Sequence, residues 1–135
     1  MMSLFSDPGF GYATGVPSLR MSLTVRARER MAARFRALGD PTRLKILERL
    51  FRSPASVGEV IEHVGGTQAN VSKHLGVLRS QGLVGSRKDG NRTVYSIADP
   101  SLERICAVVC AAVGRDARAE ADALSPRPAR SRVQR

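Results

Sequence analysis

Two cysteines stand four positions apart in the segment I-C-A-V-V-C, and they are the only ones in the 135 residues: Cys106 and Cys110. On a helix, this spacing puts their Cβ atoms about 5–6 Å apart on one face. Two thiolates at that separation could share a soft metal or metalloid ion, whereas a disulfide would require the Cβ atoms to approach to about 3.8 Å and would distort the helix. The alternative is that both are small apolar residues in a helix interface, since free cysteine is often buried.

A second set of residues suited to binding lies between positions 67 and 92. It contains amides that can pair with adenine, hydroxyls, and cations that can contact phosphates. The candidate contacts are Thr67, Gln68, Asn70, Ser72, Lys73, His74, Arg79, Arg87, Lys88 and Arg92. Both the thiol pair and these candidate contacts require helices or strands that hold the side chains in place. Either site therefore depends on the secondary structure of the chain.

Local signals predict two helices in the first half of the chain. Met31, Phe35 and Leu38 recur at helical spacing, so residues 24–38 form a helix that ends at a glycine. The dipeptide D-P at 40–41 then supplies an N-cap and a proline at the first helical position. The second helix extends to about residue 51, and we expect it to bury four apolar side chains: Leu44, Ile46, Leu47 and Leu50.

Two further helices and a hairpin follow. The segment S-V-G-E at 56–59 is a capping box, and the short helix that it opens ends at two glycines, 65–66. Thr67 caps the next helix, whose inward side chains are Val71, Leu75 and Leu78. Strand-like segments at 83–84 and 94–97 flank D-G-N at 89–91, a strong hairpin signal.

The last helix is predicted to open at Asp99-Pro100 with a second cap-plus-proline pair. Its apolar stripe contains Leu102, Ile105, Cys106, Val109, Cys110 and Val113. Gly114 interrupts this stripe, so residues 115–124 either fray or continue the helix. We expect a disordered segment at 1–23, a folded domain at 24–114 and a basic tail at 115–135, with Met21 as an alternative start.

The net charge of +10 is concentrated, because residues 23–53 hold nine cations against three acids. Basic clusters of this kind favour an anionic polymer as partner, although an arginine-rich surface that is merely solvated is the alternative.

No apolar run is long enough to span a membrane, no secretory pattern is visible, and two cysteines do not make a disulfide scaffold. We therefore expect a cytoplasmic protein without a membrane partner. The sequence also shows no nucleophile with a base, no paired carboxylates and no phosphate-binding glycine loop, so we do not expect an enzyme.

A short helix, a glycine turn and a second helix with a polar outer face form a helix-turn-helix. Its second helix fits a DNA major groove, which is about 12 Å wide. The hairpin, with Arg87, Lys88 and Arg92 beside its tip, would be a wing over the adjacent backbone. The predicted fold is mainly α with a small β-hairpin wing, in the order α1-α2-α3-α4-β-β-α5. There are two alternative interpretations. One is an ordinary helical domain whose polar face is only solvated, and the other is a winged module that binds RNA or protein.

Four segments of the chain carry a family resemblance that covers roughly residues 27–113. They are ALGDPTRLKILERL, SVGEVIEHVG, TQANVSKHLGVLRSQGLV and RKDGNRTVYSIAD, and together they resemble the ArsR/SmtB winged-helix repressors. The resemblance implies a homodimer built from the first and last helices, which binds operator DNA until an inducer releases it. Apolar stripes on both terminal helices of so small a chain also favour a dimer. Two-fold symmetry then predicts a double-stranded, near-palindromic operator.

The resemblance also implies where an inducer would bind, and most of those positions lack the family's ligands. Serine and glycine occupy positions 56 and 58, where a C-V-C pattern would supply two sulfurs. On the last helix Asp99 matches, but Ser101, Ala112 and Arg115 replace the other ligands, and the second helix has no cysteine. Cys106 and Cys110 remain as candidates for As(III), another thiophilic metal ion or an oxidant. A regulator with structural cysteines and no thiol sensor is the alternative.

Overall fold

The computed structural model describes residues 22–124, so the segments 1–21 and 125–135 of the predicted termini lie outside the described residues. The elements are α1 (Val25–Leu38), α2 (Pro41–Arg52), β1 (Ala55–Ser56), α3 (Val57–Val64), α4 (Gln68–Ser80), β2 (Val84–Asp89), β3 (Arg92–Ile97) and α5 (Leu102–Leu124). The chain divides into two compact units, one ending at Arg36 and the other beginning at Ala37. The predicted order of helices and hairpin is confirmed.

The predicted helix caps of the second unit's first three helices are present. The Asp40 carboxylate accepts the Arg43 N–H at 3.0 Å, and Pro41 occupies the first position of α2. Ser56 and Glu59 form both hydrogen bonds of the capping box at the start of α3. Gly65 and Gly66 have φ values of 83° and 86°, a left-handed conformation that glycine adopts without strain. These two glycines make the sharp turn that separates α3 from α4.

The core of the second unit lies where α2, α3 and α4 meet β2 and the start of α5. Its fully buried side chains are Ile46, Leu47, Val60, Val71, Leu75 and Leu78, with Leu83, Val84 and Leu102 nearly so. The expected burial of Leu44 is wrong, because this side chain is 45% exposed. At 3.6 residues per turn, Leu44 lies about 110° from the centre of the stripe that Ile46, Leu47 and Leu50 form.

A third strand, which the sequence did not predict, joins the hairpin. The sheet is antiparallel with the order β1-β3-β2, and β1 pairs Ala55 with Tyr95 and Ser56 with Val94. The predicted hairpin is present, but its strands extend beyond the predicted segments 83–84 and 94–97. Asp89 pairs with Arg92 across a turn in which Gly90 has a φ of 61°. The connection between α2 and α3 is therefore attached to the wing through backbone hydrogen bonds.

The final helix begins later than its cap signal predicted. Asp99 Oδ1 accepts hydrogen bonds from the Ser101 N–H at 3.0 Å and the Ser101 hydroxyl at 2.6 Å, so Asp99 organises a turn and Pro100 lies in it. The first residue of α5 is Leu102, and the helix continues through residues 115–124 to Leu124. No helix within residues 22–124 combines the length and the apolar character needed to cross a bilayer.

Candidate nucleic-acid interface

One face of α4 is polar and open to solvent, and the opposite face is buried. Thr67 Oγ1 accepts the Asn70 N–H at 3.2 Å, and this hydroxyl keeps its proton and its second lone pair for a ligand. Val71, Leu75 and Leu78 have no exposed surface and fix the rotation of α4 on the core. The capping residue Thr67 is exposed, and so are the five residues predicted to lie at or beyond the edges of the buried stripe: Gln68, Asn70, Ser72, Lys73 and Arg79.

Four exposed cations of this region have no ion-pair partner within residues 22–124. They are Lys73 and Arg79 on α4, and Arg87 and Lys88 on β2. Because Arg87 and Lys88 are consecutive in a strand, their side chains leave opposite faces of the wing. Surface cations without an ion-pair partner in the chain are available to an anionic partner. Their contacts with phosphates position a protein on nucleic acid.

Arg92, the third predicted wing contact, is engaged within the chain. Its guanidinium donates to Glu59 Oε1 at 2.9 Å, and Glu59 Oε2 lies 3.6 Å from Arg49 Nη2. The structure therefore places Arg92 against the start of α3, where its charge is paired within the chain. Sequence inspection missed the pair because the two residues are 33 positions apart, and the capping box already accounted for Glu59.

His74 faces α2 and lies at the edge of the polar face, with 14% of its side chain exposed. Its Nδ1 is 3.2 Å from Arg43 Nη1 and 3.8 Å from Asp40 Oδ1. A guanidinium only donates hydrogen bonds, so Nδ1 must accept and the ring proton is on Nε2. His74 thus joins α4 to the first turn of α2, and Arg43 is a residue of this region that the sequence did not single out.

Asp40 is the acidic member of this cluster. The hydrogen bond from the Arg43 N–H, together with the positive charge of Arg43, holds the pKa of the Asp40 carboxyl below its usual value. A lowered pKa means that the ionised cap stabilises the fold above the ordinary carboxyl pKa, and that this contribution disappears as the pH falls through the lowered value. Asp40 is therefore ionised at neutral pH.

The two cysteines of α5 have different environments. Cys106 is half-buried and packs against the core, and this burial raises the pKa of its thiol. Cys110 is exposed, as are four apolar side chains on the same helix: Ile105, Val108, Val109 and Val113. Within residues 22–124 of a single chain, no three His, Cys, Asp or Glu side chains form a metal-binding group.

Comparison with known proteins identifies the fold and the family. The family profile described as "Bacterial regulatory protein, arsR family" matches residues 40–86. An uncharacterized HTH-type transcriptional regulator of Mycobacterium tuberculosis, Rv0081, is 45% identical over 75 residues, which cover 55% of this chain and 66% of that protein. The crystal structure of Rv0081 has a TM-score of 0.63 at 36% identity and covers 76% of this chain and 100% of that chain.

Two other relatives are informative. The probable mercury resistance operon repressor of Streptomyces lividans is 46% identical over 68 residues, which cover 50% of this chain and 54% of that protein. The solution structure of Mb0332 from Mycobacterium bovis is described as a homodimeric winged helix-turn-helix DNA-binding domain. It has a TM-score of 0.64 at 26% identity and covers 77% of this chain and 93% of that chain.

The chain spans about two thirds of the length of Rv0081 and about half that of the Streptomyces repressor. The match to the crystallised Rv0081 chain is complete, and the family profile runs from the start of α2 into β2. This chain is therefore a winged helix-turn-helix transcriptional regulator of the arsR family.

Proposed function

We propose that this protein is a transcriptional repressor that binds double-stranded operator DNA through α4 and the wing. The observation that carries the proposal is the set of four unpaired cations, Lys73, Arg79, Arg87 and Lys88, beside the polar face of α4. A repressor acts on chromosomal DNA, so we place the protein in the cytoplasm and assign it no catalytic activity.

The role that we expect for each side chain on DNA follows from its chemistry. Gln68 and Asn70, in the first turn of α4, carry amides that can donate to and accept from the major-groove edge of adenine. Lys73, Arg79, Arg87 and Lys88 supply phosphate contacts, which fix the position of the protein without selecting a sequence. We expect Ser72 to contact either a base or a phosphate. His74 and Arg92 hold α4 and the wing in place through partners within the chain.

We propose that the functional unit is a homodimer. Ile105, Val108, Val109 and Val113 leave an apolar stripe on α5 exposed in the single chain, and a second copy would cover it. The homodimeric relative from Mycobacterium bovis supports this assembly. A two-fold axis requires a near-palindromic operator with half-sites about 34–36 Å apart, one turn of DNA.

The operator proposal is tested with DNA from directly upstream of the gene. We expect fluorescence anisotropy to show binding that survives excess competitor DNA and weakens steeply between 50 and 200 mM salt, as counterion release requires for about 6–10 phosphate contacts. A matched duplex with a scrambled half-site is the control. Equal affinity for both duplexes, or no binding at any of these salt concentrations, would contradict specific autoregulation. A preference for RNA would favour the alternative of an RNA-binding winged module.

We further propose that the inducer is a thiophilic metal or metalloid ion, such as As(III), bound by Cys106 and Cys110. Cys110 is exposed, and Cys106 lies one turn before it on the same helix. Binding displaces both thiol protons, so it becomes weaker as the pH falls, and the raised pKa of Cys106 extends this dependence to higher pH. The Streptomyces relative is named for mercury resistance, which supports a response to soft ions in this branch of the family.

The double substitution Cys106→Ser/Cys110→Ser should leave operator affinity unchanged and abolish release by arsenite or cadmium. Serine preserves the size of the side chain but supplies no soft ligand. The measurement is the anisotropy of labelled operator during titration with each ion, with the wild-type protein as reference. A double variant that still releases DNA on addition of arsenite, cadmium or an oxidant would show that the cysteines are structural.

A further inference from the structure

The carboxylate of Glu59 contacts residues of three other elements, β1, β3 and α2. As the third residue of α3 it completes the capping box, because the Ser56 N–H donates to Glu59 Oε2 at 3.3 Å. The same carboxylate accepts a hydrogen bond from Arg92 of β3 at 2.9 Å and lies 3.6 Å from Arg49 of α2. One acidic side chain therefore connects the helix-turn-helix to the wing.

Arg49 extends this connection to the end of α2. Its Nη1 donates to the Ser53 carbonyl oxygen at 3.1 Å and to the Ser53 hydroxyl at 3.2 Å. Ser53 is the C-cap of α2, and β1 begins two residues later. The Arg49 side chain is 19% exposed, compared with 59% for Arg92, so the connection is well enclosed on the side of α2 and open on the side of the wing.

Backbone pairing holds the wing only at its base. β1 pairs with β3 at Tyr95 and Val94 and extends no further toward the tip. Arg92, two residues nearer the tip than Val94, adds a side-chain contact with Glu59. Arg92 itself pairs with Asp89 at the closing end of the hairpin, adjacent to Lys88. The ion pair between Arg92 and Glu59 is therefore an attachment of the outer half of the hairpin to α3.

We propose that Glu59 is a positioning residue for DNA binding, which holds the wing so that Arg87 and Lys88 contact the same duplex that α4 enters. This inference rests on the proposed operator binding. It predicts a change in operator affinity that is opposite to the usual one, because removing a negative charge from a DNA-binding protein ordinarily strengthens its binding. Removing the charge of Glu59 should weaken it.

The test compares Glu59→Gln with Glu62→Gln, an exposed acid on the same helix. Both substitutions change the charge of the chain equally, and glutamine at position 59 can still accept the hydrogen bond of the capping box. We expect Glu62→Gln to bind operator as tightly as wild type or slightly more tightly. Glu59→Gln should bind about fivefold to tenfold more weakly, because an exposed ion pair is worth a factor of up to about five in each half of a dimer.

The salt dependence distinguishes a displaced wing from a general loss of structure. If the wing cations no longer reach their phosphates, the slope of log affinity against log salt becomes shallower by about one for each phosphate that is released. Circular dichroism should give nearly the same melting temperature for Glu59→Gln and wild type, because the pair with Arg92 is exposed and Arg49 keeps its two hydrogen bonds to Ser53. Unchanged or tighter operator binding by Glu59→Gln, or weaker binding with an unchanged slope, would overturn the inference.

A double-mutant cycle with Arg92→Ala separates positioning from direct contact. If Arg92 acts through Glu59, the double variant Glu59→Gln/Arg92→Ala should bind no more weakly than either single variant. If Arg92 contacts a phosphate itself, the two losses should be independent, and the inference fails. Wild-type protein that binds no operator would instead refute the proposed function and this inference with it, whereas specific wild-type binding combined with additive losses refutes the inference alone.

Discussion

Leu75→Ala should lower the free energy of unfolding by about 2–5 kcal/mol, the range observed when a buried leucine is truncated to alanine. Leu75 is on the inner face of α4 and has no exposed surface. The substitution removes three carbon atoms from a closely packed core, and the surrounding helices can only partly fill the cavity. Urea unfolding followed by circular dichroism, at one fixed protein concentration, measures the difference.

Leu124→Ala is the matched control for this prediction. Leu124 ends the described part of α5 and is 79% exposed, so the same chemical change should alter the free energy of unfolding by less than about 0.5 kcal/mol. Similar losses in the two variants would mean that α4 is not anchored through Leu75. The polar face of α4 would then be assigned to the wrong residues, since the burial of Leu75 sets the rotation of that helix.

Gln68→Ala and Lys73→Ala should both weaken operator binding, and they should do so in different ways. Loss of a paired amide costs about 1–3 kcal/mol of discrimination and should relax specificity at one base position. Loss of Lys73 should weaken binding to all duplexes alike and make the salt slope shallower by about one for each chain of the dimer. Both side chains are exposed, so the fold and the dimer should be unaffected.

These variants are measured by anisotropy on the operator and on duplexes substituted at single positions, with size-exclusion chromatography as a check on the dimer. Arg118→Ala, which removes one cation from an exposed position on α5, controls for net charge. We expect the control to keep the wild-type salt slope. Wild-type affinity in both Gln68→Ala and Lys73→Ala would show that α4 meets DNA with a different face, or does not meet it.

The features that were predicted from the sequence are those that local interactions determine. The Asp40 cap, the capping box at Ser56 and the glycine turn each involve residues within a few positions of one another, so the residue types alone reveal them. The inward stripe of α4 follows from helical periodicity. The same periodicity is sufficient to locate the outward residues of α4 correctly.

The features that were missed depend on residues that are distant in the sequence. β1 has only two residues and exists because β3 pairs with it, so no periodicity could reveal it. The contacts of Arg92 with Glu59 and of Arg43 with His74 join residues 33 and 31 positions apart. The exposure of Leu44 depends on which side of α2 the rest of the core occupies. In each case the arrangement of the elements, and not their local preference, decides the outcome.

The order β1-β3-β2 leaves β2 as an edge strand whose outer backbone groups have no partner in the sheet. Exposed edges of this kind can pair with the same edge of another molecule and build sheets across molecules. Here Arg87 and Lys88 lie near the end of the strand, so two copies approaching edge to edge would bring like charges together. The cations that we assign to phosphate therefore also protect the wing from aggregation, and they leave association between copies to the apolar stripe of α5.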